Sequence, residues 1–373
     1  MIICAALAEG ESHLSGVAQS DDILATLDCI KALGADCKLC ENELTVFGGI
    51  KSAENKRFPC RESASTLRFF IPLALLSGGQ NSFEGSARLI ERGAELYEKV
   101  LSNVSFEKHA DRITADGQLI AGNYRIQGNI SSQYISGLLL ALSMLSESST
   151  LEIIPPVESR SYIDMTVDVM KRFGVTVEGN ENKFFIKGNQ KYKNDNFSVE
   201  GDWSNAAVFY ALNSFGNNIE INGLNKNSIQ GDRICVELLK KFDGENPVID
   251  VSDCPDLAPV LFAAAAAKHG AVFTGTKRLR IKESDRAEAM AEELAKFGIK
   301  VSVEENTVTV FDGELKAPTQ TLNGHSDHRI VMALSMLLTL TGGTLDGTES
   351  ISKSYPDFFE NLEKLGADIT YKK

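Results

Sequence analysis

Several phrases of the sequence place basic side chains among small or turn-forming residues. The densest phrase is KRLRIKESDRAEAM, which contains Lys282, Glu283 and Arg286, while Arg329 lies in SDHRIVMA and Lys353 in SISKSYPDF. Arginine can grip a phosphate or carboxylate with two parallel hydrogen bonds, whereas lysine acts as a mobile point charge. These cations together predict a binding site for an anionic small molecule.

Hydroxyl-rich phrases stand at the heads of apolar runs that we expect to be helical. RESASTLRF, GNISSQYISG and VESRSYID have this form, and EGSARLIERG adds basic residues. A helix start offers free backbone N–H groups and the positive end of the helix dipole, which suit a phosphate. The candidate residues of these phrases are Arg68, Arg88, Ser131, Ser132, Gln133, Ser159 and Tyr162.

Each phrase also has an ordinary structural explanation. A serine or aspartate before a helix usually caps it, so Asp256 in CPDLAPVLF could simply be a cap. KRLRIKESDR could be a solvated charged turn. His325 and His328 could lie on the surface, and a chain with five histidines gives little reason to expect a metal site. Neither a G-x-x-x-x-G-K-[ST] motif nor a dinucleotide fingerprint is present, so nucleotide binding has little support.

The bulk composition is that of a soluble globular protein. The chain has 373 residues, 43% hydrophobic and 24% charged, which predicts two domains. Its net charge of −13 argues against a broad nucleic-acid or anionic-membrane surface, although a few convergent cations can still form a cationic pocket. Seven scattered cysteines, including Cys37 and Cys40 in a lone C-x-x-C, favour reduced thiols in the cytoplasm. No secretory signal or membrane span is predicted.

One pattern recurs along the chain: an amphipathic helix that ends at a glycine, followed by two short alternating strands. It occurs in ATLDCIKALGADCKLCENELTVFG, DMTVDVMKRFGVTVEGNENKFFIKG and AEAMAEELAKFGIKVSVEENTVTVFDG, and its first half in NLEKLGADITYKK. YEKVLSNVSFEKHADRITADG and VELLKKFDGENPVIDV look like degenerate copies. The C-cap glycines would be Gly34, Gly174, Gly298 and Gly366. This recurrence predicts a repeat architecture of α/β units.

Helices that are apolar nearly all round separate these copies. SSQYISGLLLALSML and PDLAPVLFAAAAAK carry few polar side chains, so we expect them to be buried at domain centres. A polar stretch, NQKYKNDNFSVEGDWS, marks a domain boundary near Gly201. Two similar halves should result, with a cleft between them as the default ligand site.

The order of the phrases adds a family resemblance. RESASTLRF, EGSARLIERG, GNISSQY, VESRSYIDMT, RLRIKESDR, SDHRIVMA and ISKSYPDFFENL resemble, in this order, the 5-enolpyruvylshikimate-3-phosphate synthases. The resemblance implies two domains of βαβαββ units around buried helices. It implies transfer of the enolpyruvyl group of phosphoenolpyruvate to the 5-hydroxyl of shikimate 3-phosphate, with release of phosphate. It further implies a monomer that needs no cofactor and no metal.

The resemblance also implies a role for each candidate residue. Residues 1–200 would form the domain on the shikimate 3-phosphate side, and residues 201–373 the domain with the acid, base and phosphoenolpyruvate groups. The catalytic residues would be Asp256 as base, Glu283 as proton carrier for the methylene carbon, and Lys282. The phosphoenolpyruvate set would be Ala64, Arg88, Gln133, Arg286, Arg329 and Lys353. The shikimate 3-phosphate set would be Ser131, Ser132, Gln133, Ser159, Tyr162, Asp256 and Lys282.

Two departures from the family pattern accompany the resemblance. Relatives carry a Ser-Lys-Ser-type phrase before the segment that matches MIICAALAEG, and this sequence starts after it, so we expect strongly reduced turnover. Ala64 stands where many relatives have glycine, so we expect low sensitivity to glyphosate. Two alternatives remain: a non-catalytic remnant that only binds ligand, and a sister transferase that acts on a UDP-amino sugar. The sister enzymes would normally show a reactive cysteine, which RESASTLRF lacks.

Overall fold

The structure, a computed structural model, describes residues 1–51, 55–244 and 246–372. The chain divides into two units, Met1–Val199 and Glu200–Lys373. Each unit has its own apolar core.

The N-terminal unit contains seven helices and twelve strands among its described residues. The helices are α1 (Ile2–Leu7), α2 (Asp21–Leu33), α3 (Ala64–Ala74), α4 (Ala87–Arg92), α5 (Glu95–Val100), α6 (Ser132–Leu142) and α7 (Arg160–Arg172). The strands are β1 (Gly10–Ser15), β2 (Asp36–Cys40), β3 (Glu43–Gly48), β4 (Arg57–Arg61), β5 (Gln80–Gly85), β6 (Val104–Lys108), β7 (Arg112–Gly117), β8 (Asn123–Gln127), β9 (Ser149–Ile154), β10 (Val177–Gly179), β11 (Lys183–Ile186) and β12 (Asn196–Ser198).

The C-terminal unit contains six α-helices and six strands among its described residues. The helices are α8 (Trp203–Ser214), α9 (Cys235–Lys240), α10 (Ala258–Ala267), α11 (Arg286–Lys296), α12 (His328–Thr341) and α13 (Phe358–Lys364). The strands are β13 (Val248–Asp250), β14 (Ala271–Thr274), β15 (Val301–Val303), β16 (Thr307–Val310), β17 (Leu322–Asn323) and β18 (Leu345–Asp346). Short 3₁₀ turns cover Gly231–Ile234, Lys241–Asp243, Lys277–Ile281 and Thr348–Lys353.

Four sheets share one strand order, and this order explains the sequence repeat. The sheets are β12-β1-β3-β2, β4-β5-β7-β6, β8-β9-β11-β10 and β13-β14-β16-β15. In each sheet the first two strands are parallel and the remaining pairs are antiparallel. A parallel pair needs a crossover connection, whereas an antiparallel pair can be joined by a tight turn. The predicted βαβαββ unit is therefore confirmed.

The glycines that end the helices have the predicted backbone conformation. Gly34, Gly174, Gly298 and Gly366 all have positive φ, between 81° and 104°. At Gly34 a side chain would also meet Lys51, since an added Cβ would come within 2.8 Å of the Lys51 Cβ. A substitution there would combine backbone strain with a steric clash.

Two details of the repeat differ from the prediction. In VELLKKFDGENPVIDV the strand β13 does not complete a degenerate copy, because it pairs in parallel with β14 and opens the next sheet. No strand is assigned within residues 367–372, although the sequence pattern there is that of the other copies.

The apolar helices lie in the cores, as expected. Ten of the eleven residues of α6 are buried, and so are nine of the ten residues of α10. Across the described residues, no helix combines the length and the apolar character that a membrane crossing would require. Of the candidate site residues, Ser132 and Gln133 lie on α6, and Asp256 lies two positions before the first residue of α10.

Candidate active site

Arg286 is the centre of the charged cluster in the C-terminal unit. It is the first residue of α11, directly after the cap Asp285, and it is only 1% exposed. Its Nη1 donates to Asp256 Oδ1 at 2.7 Å and its Nη2 to Glu283 Oε2 at 2.9 Å. Its Nε donates to Asp327 Oδ2 at 2.9 Å. One buried guanidinium thus holds three carboxylates that lie in separate parts of the sequence.

Two of these carboxylates, Asp256 and Glu283, each form an ion pair with a lysine as well. Lys282 Nζ lies 3.3 Å from Asp256 Oδ1, and Lys353 Nζ lies 3.4 Å from Glu283 Oε1. The arrangement is a charge-balanced network, in which buried ions are tolerated because every charge has an opposite partner. The structure therefore brings together five residues that the sequence singled out.

These neighbours shift the pKa values of the network. Burial alone would raise the pKa of Asp256, but Lys282, Arg286 and Arg329 hold it well below its usual range. Burial lowers the pKa of Lys282, and the adjacent Asp256 opposes this effect. Asp256 is consequently a carboxylate at neutral pH, which is the form that can accept a proton.

Asp327 is a member of this network that sequence reasoning missed. It is fully buried, it caps α12 by accepting a hydrogen bond from the Arg329 backbone N–H at 2.9 Å, and it accepts another from Ser284 Oγ at 3.0 Å. The signal available in the sequence was its position directly before an apolar helix, next to Arg329 in SDHRIVMA. That position indicates a cap, but it gives no hint of the long-range pair with Arg286.

Arg329 occupies the first turn of α12 and is also buried. Its Nη1 donates to Asn205 Oδ1 at 3.2 Å, and Asn205 Nδ2 in turn lies 3.5 Å from the backbone oxygen of Ser354, next to Lys353. Its Nε is buried and has no hydrogen-bond partner among the described residues. A buried guanidinium N–H without a partner is costly, so this group is suited to receive an anionic ligand.

His328 is buried in the same turn, so the expectation that it could be a surface residue is wrong. Its Nδ1 lies 4.0 Å from Asp327 Oδ1. Burial, with a further contribution from the charge of Arg329, lowers the pKa of His328 to about 3. The ring is therefore neutral throughout the physiological pH range.

This neutral ring predicts a pH dependence of stability. His328 takes up a proton near pH 6.5 in the unfolded chain, but only near pH 3 in the folded protein. The free energy of unfolding is therefore highest above pH 6.5 and decreases as the pH falls from 6.5 towards 3, because protonation favours the unfolded chain over this range. Between about pH 7.5 and pH 5 the wild type should lose about 2 kcal/mol more unfolding free energy than His328→Gln. Urea unfolding followed by the fluorescence of Trp203, the single tryptophan, reports on this unit. Equal losses in both proteins would contradict the assignment of a neutral ring.

The ordinary explanations for KRLRIKESDR and Asp256 are also wrong, whereas the explanation for the serines holds, since Ser131 caps α6. KRLRIKESDR is not a solvated turn, because Arg278 and Arg286 are buried. Asp256 does not cap a helix, because the residue at the start of α10 is Leu257 and no side chain caps it. His325 is only partly exposed.

A second set of candidate residues lies at helix starts in the N-terminal unit. Ser131 caps α6 through a 3.4 Å hydrogen bond from the Gln133 backbone N–H, and Ser132 is buried. Gln133 Oε1 accepts a 2.7 Å hydrogen bond from Arg68 Nη1, and the Arg68 guanidinium stacks over the Tyr134 ring. Helices α3 and α6 are thereby linked through side chains that lie 65 positions apart in the sequence.

The start of α7 belongs to the same part of the unit. Ser136 of α6 and Thr166 of α7 form a 2.7 Å hydroxyl–hydroxyl hydrogen bond, and Thr166 Oγ1 donates to the Tyr162 backbone oxygen at 3.0 Å. Ser159 precedes α7 in the left-handed conformation, with φ of 56°. Ser159 therefore lies directly before, and Tyr162 on the first turn of, a helix that packs against α6.

Two further residues of the predicted set lie on the helices α3 and α4 of the N-terminal unit. Arg88 lies on α4 with its side chain 49% exposed, and its Nη1 donates to Glu91 Oε2 at 3.0 Å. Ala64 is the first residue of α3, directly after the cap Ser63, and is buried.

Comparison with known proteins first defines a fold class. The structure superposes on EPSP synthase from Acinetobacter baumannii with a TM-score of 0.79 and 24% identity, covering 100% of this chain and 94% of that one. It superposes on the enolpyruvyl transferase NikO from Streptomyces tendae with a TM-score of 0.72 and 15% identity, covering 98% and 92%. The fold is therefore that of the two-domain enolpyruvyl transferases, as predicted.

Sequence comparison then defines the family. The family model for EPSP synthase (3-phosphoshikimate 1-carboxyvinyltransferase) matches residues 1–362. The 3-phosphoshikimate 1-carboxyvinyltransferases of Clostridium kluyveri and Clostridium acetobutylicum are each 38% identical to the chain, covering 99% of it and 92% of the relative. The chain belongs to the EPSP synthase family. The family predicted from the order of the phrases is confirmed.

Proposed function

We propose that the chain transfers the enolpyruvyl group of phosphoenolpyruvate to the 5-hydroxyl of shikimate 3-phosphate and releases phosphate. The family membership supports the reaction, which belongs to the shikimate pathway of aromatic amino acid biosynthesis. The observation in the structure that carries the proposal is the Arg286 network, in which one guanidinium binds three carboxylates and two of these carboxylates also pair with a lysine.

The network supplies groups suited to both proton transfers. We assign Asp256 as the base that takes the proton of the 5-hydroxyl, since neighbouring cations keep it ionised. We assign Glu283 as the group that delivers a proton to the methylene carbon, and Lys282 as a partner of Asp256 that contacts the shikimate ring. Protonation turns the methylene into a methyl group and leaves the adjacent carbon cationic. The 5-oxygen bonds to that carbon, and loss of a methyl proton with the phosphate then restores the double bond.

The cations hold the charges of phosphoenolpyruvate in this proposal. Its binding set comprises Ala64, Arg88, Gln133, Arg286, Arg329 and Lys353. The carboxylates of the network balance three cations, and Arg329 adds a positive charge with a buried N–H that has no hydrogen-bond partner in the described part of the chain. Fixed cations of this kind stabilise charge that develops in the transition state without reorganisation at the moment of reaction.

The N-terminal unit supplies the groups for shikimate 3-phosphate in this proposal. Its set comprises Ser131, Ser132, Gln133, Ser159 and Tyr162, to which Asp256 and Lys282 are added from the C-terminal unit. The start of α6, an eleven-residue helix with two serines, is suited to a phosphate group. Units Met1–Val199 and Glu200–Lys373 would correspond to the predicted domains 1–200 and 201–373.

The compartment and assembly state complete the proposal. All seven cysteines are free thiols, which fits a reducing compartment, and we assign the enzyme to the cytoplasm as a monomer. Size-exclusion chromatography with light scattering tests the monomer.

Phosphate release by the purified chain tests the function. With both substrates present, release should be catalytic and should stop when either substrate is omitted. A matched reaction with shikimate, which lacks the phosphate, should be slow, because the serine set would then have no phosphate to bind. Binding of shikimate 3-phosphate without any phosphate release would favour a non-catalytic binding protein instead.

The position of Ala64 predicts a change in inhibitor sensitivity. Because Ala64 is buried at the start of α3, its methyl group occupies space that a glycine would leave open. We expect Ala64→Gly to raise sensitivity to glyphosate by roughly tenfold or more, while KM for phosphoenolpyruvate changes less. The reason is that the Ala64 methyl group excludes glyphosate, the bulkier of the two ligands, more strongly than it excludes phosphoenolpyruvate. Inhibition curves for both proteins provide the measurement, and an unchanged curve would refute the steric explanation. Ala74→Gly, at the other end of the same helix, is the matched control.

A further inference from the structure

The segment that leads into α12 has an unusual backbone. Between Asn323, the end of β17, and Asp327, the chain passes through His325 and Ser326, whose φ angles are 51° and 52°. Two successive non-glycine residues in the left-handed region each cost on the order of 1 kcal/mol, so surrounding contacts must hold them. The geometry of this turn matters because Asp327 and Arg329 follow directly.

Local hydrogen bonds account for only part of the support. Asn323 Oδ1 accepts from the His325 backbone N–H at 2.7 Å, and the Asp327 N–H donates to the Gly324 backbone oxygen at 2.9 Å. The Gly324 N–H donates to the Asp346 backbone oxygen at 2.8 Å, which ties the turn to β18. These bonds fix the path of the backbone, but none of them reaches α11, where Arg286 lies.

Glu293 makes the connection to α11. It is fully buried, and it lies seven residues after Arg286 on the same helix, which places both residues on one face two turns apart. Its Oε1 lies 3.0 Å from His325 Nε2, and its Oε2 accepts from the Asn323 backbone N–H at 3.0 Å. Lys296 Nζ balances the charge, at 2.8 and 2.9 Å from the two oxygens. One face of α11 therefore contacts both ends of the segment 323–327, through Glu293 at the start of the segment and through Arg286 at Asp327.

The same contacts argue against a metal ion at this position. Glu292, Glu293 and His325 have ligand atoms within 4.8 Å of one another, a spacing that a cation could use. However, both oxygens of Glu293 are already bonded to the ammonium group of Lys296, which a cation would have to displace. The cluster is better explained as a set of hydrogen bonds that hold the segment 323–327 against α11.

We propose that Glu293 and His325 are positioning residues, which hold Arg286 and Arg329 in the orientation that binds phosphoenolpyruvate. The pair fixes the left-handed turn, the turn places Asp327, and Asp327 both caps the helix that carries Arg329 and binds the Nε of Arg286. The inference rests on the proposed function, because it assigns the pair to one of the two substrates.

Steady-state kinetics of His325→Ala and Glu293→Gln test the proposal. We expect KM for phosphoenolpyruvate to rise roughly tenfold in each variant, with KM for shikimate 3-phosphate within about twofold of wild type. The double variant should resemble the single variants, because both changes break the same contact. His325→Gln, whose amide can still reach Glu293, should recover most of the affinity, and Glu288→Gln, an exposed carboxylate on α11, is the matched control.

The outcomes separate three explanations. A merely structural role would lower the unfolding midpoint of the Trp203 signal and leave both KM values unchanged, which would overturn the inference. Equal rises in both KM values would also overturn it, since the effect would not be confined to one substrate. If wild type itself releases no phosphate, the proposed function fails, and calorimetric titration with phosphoenolpyruvate in the presence of shikimate 3-phosphate then decides the inference: Kd should be roughly tenfold higher for Glu293→Gln than for wild type, and equal values would overturn it. If His325→Ala does not fold, His325→Gln and Glu293→Gln still decide the question.

Discussion

Replacement of Arg286 by methionine is expected to reduce kcat/KM by at least about a thousandfold and to destabilise the C-terminal unit by about 3–5 kcal/mol. The reason is that Arg286, 1% exposed, balances Asp256, Glu283 and Asp327. Methionine fills a similar volume but leaves the three carboxylates without their shared partner. Phosphate release and urea unfolding followed at Trp203 measure the two effects.

Two variants distinguish loss of charge from loss of geometry. Arg286→Lys keeps a positive charge, but its ammonium group lacks the planar, fixed donors with which the guanidinium binds three carboxylates. Compared with Arg286→Met, it should therefore recover part of the stability and little of the activity. Arg280→Met removes an exposed arginine from the same phrase and should change neither quantity appreciably. An Arg286→Met protein with near-normal kcat/KM would contradict the central role of the network.

Replacement of Asp256 by asparagine should reduce kcat by about 10²–10⁴-fold, the range typical of a lost general base. The fold should survive, because the amide oxygen can still accept the 2.7 Å hydrogen bond from Arg286 Nη1. Since neighbouring cations hold the pKa of Asp256 well below its usual range, the residue is ionised throughout neutral pH. The ratio of wild-type to variant kcat should therefore be constant from about pH 6 to pH 8.

A nearby carboxylate serves as the control for this experiment. Asp253 is exposed in the same turn, and Asp253→Asn should have nearly wild-type kcat. Asp256→Asn should also still bind shikimate 3-phosphate, measured by calorimetry, because most of the proposed contacts remain. A fall in kcat of less than about tenfold would indicate that another group accepts the proton.

Much of the fold follows from local sequence patterns. A glycine such as Gly174 at the end of an amphipathic helix predicts the helix end, because few other residues adopt its left-handed conformation. The continuous apolar pattern of PDLAPVLFAAAAAK likewise predicts a buried helix. Strand pairing is different. The strand β13 looked like the end of one repeat and is the beginning of another, because the order of strands in a sheet depends on contacts that local periodicity does not encode.

The site could be predicted only in part for the same reason. Residue types and the order of phrases identified Lys282, Glu283 and Arg286 as members of one site. The pair of Arg286 with Asp327 crosses 41 positions of sequence, and the turn geometry at His325 depends on a carboxylate 32 positions away. Such contacts are set by the packing of α11 against α12, and a single sequence gives no signal for them.

The pairing of β1 with the distant strand β12 has a consequence for biosynthesis. Strand β1 pairs on one side with β3, close by in the chain, and on its other side with β12, so that His13 lies opposite Asn196. During translation this second edge of β1 stays unpaired until the ribosome has extruded about 180 further residues, because its partner has not yet been made. The growing chain therefore carries an open strand edge for most of the synthesis of the N-terminal unit, and this edge is where a chaperone would protect it from pairing with other chains.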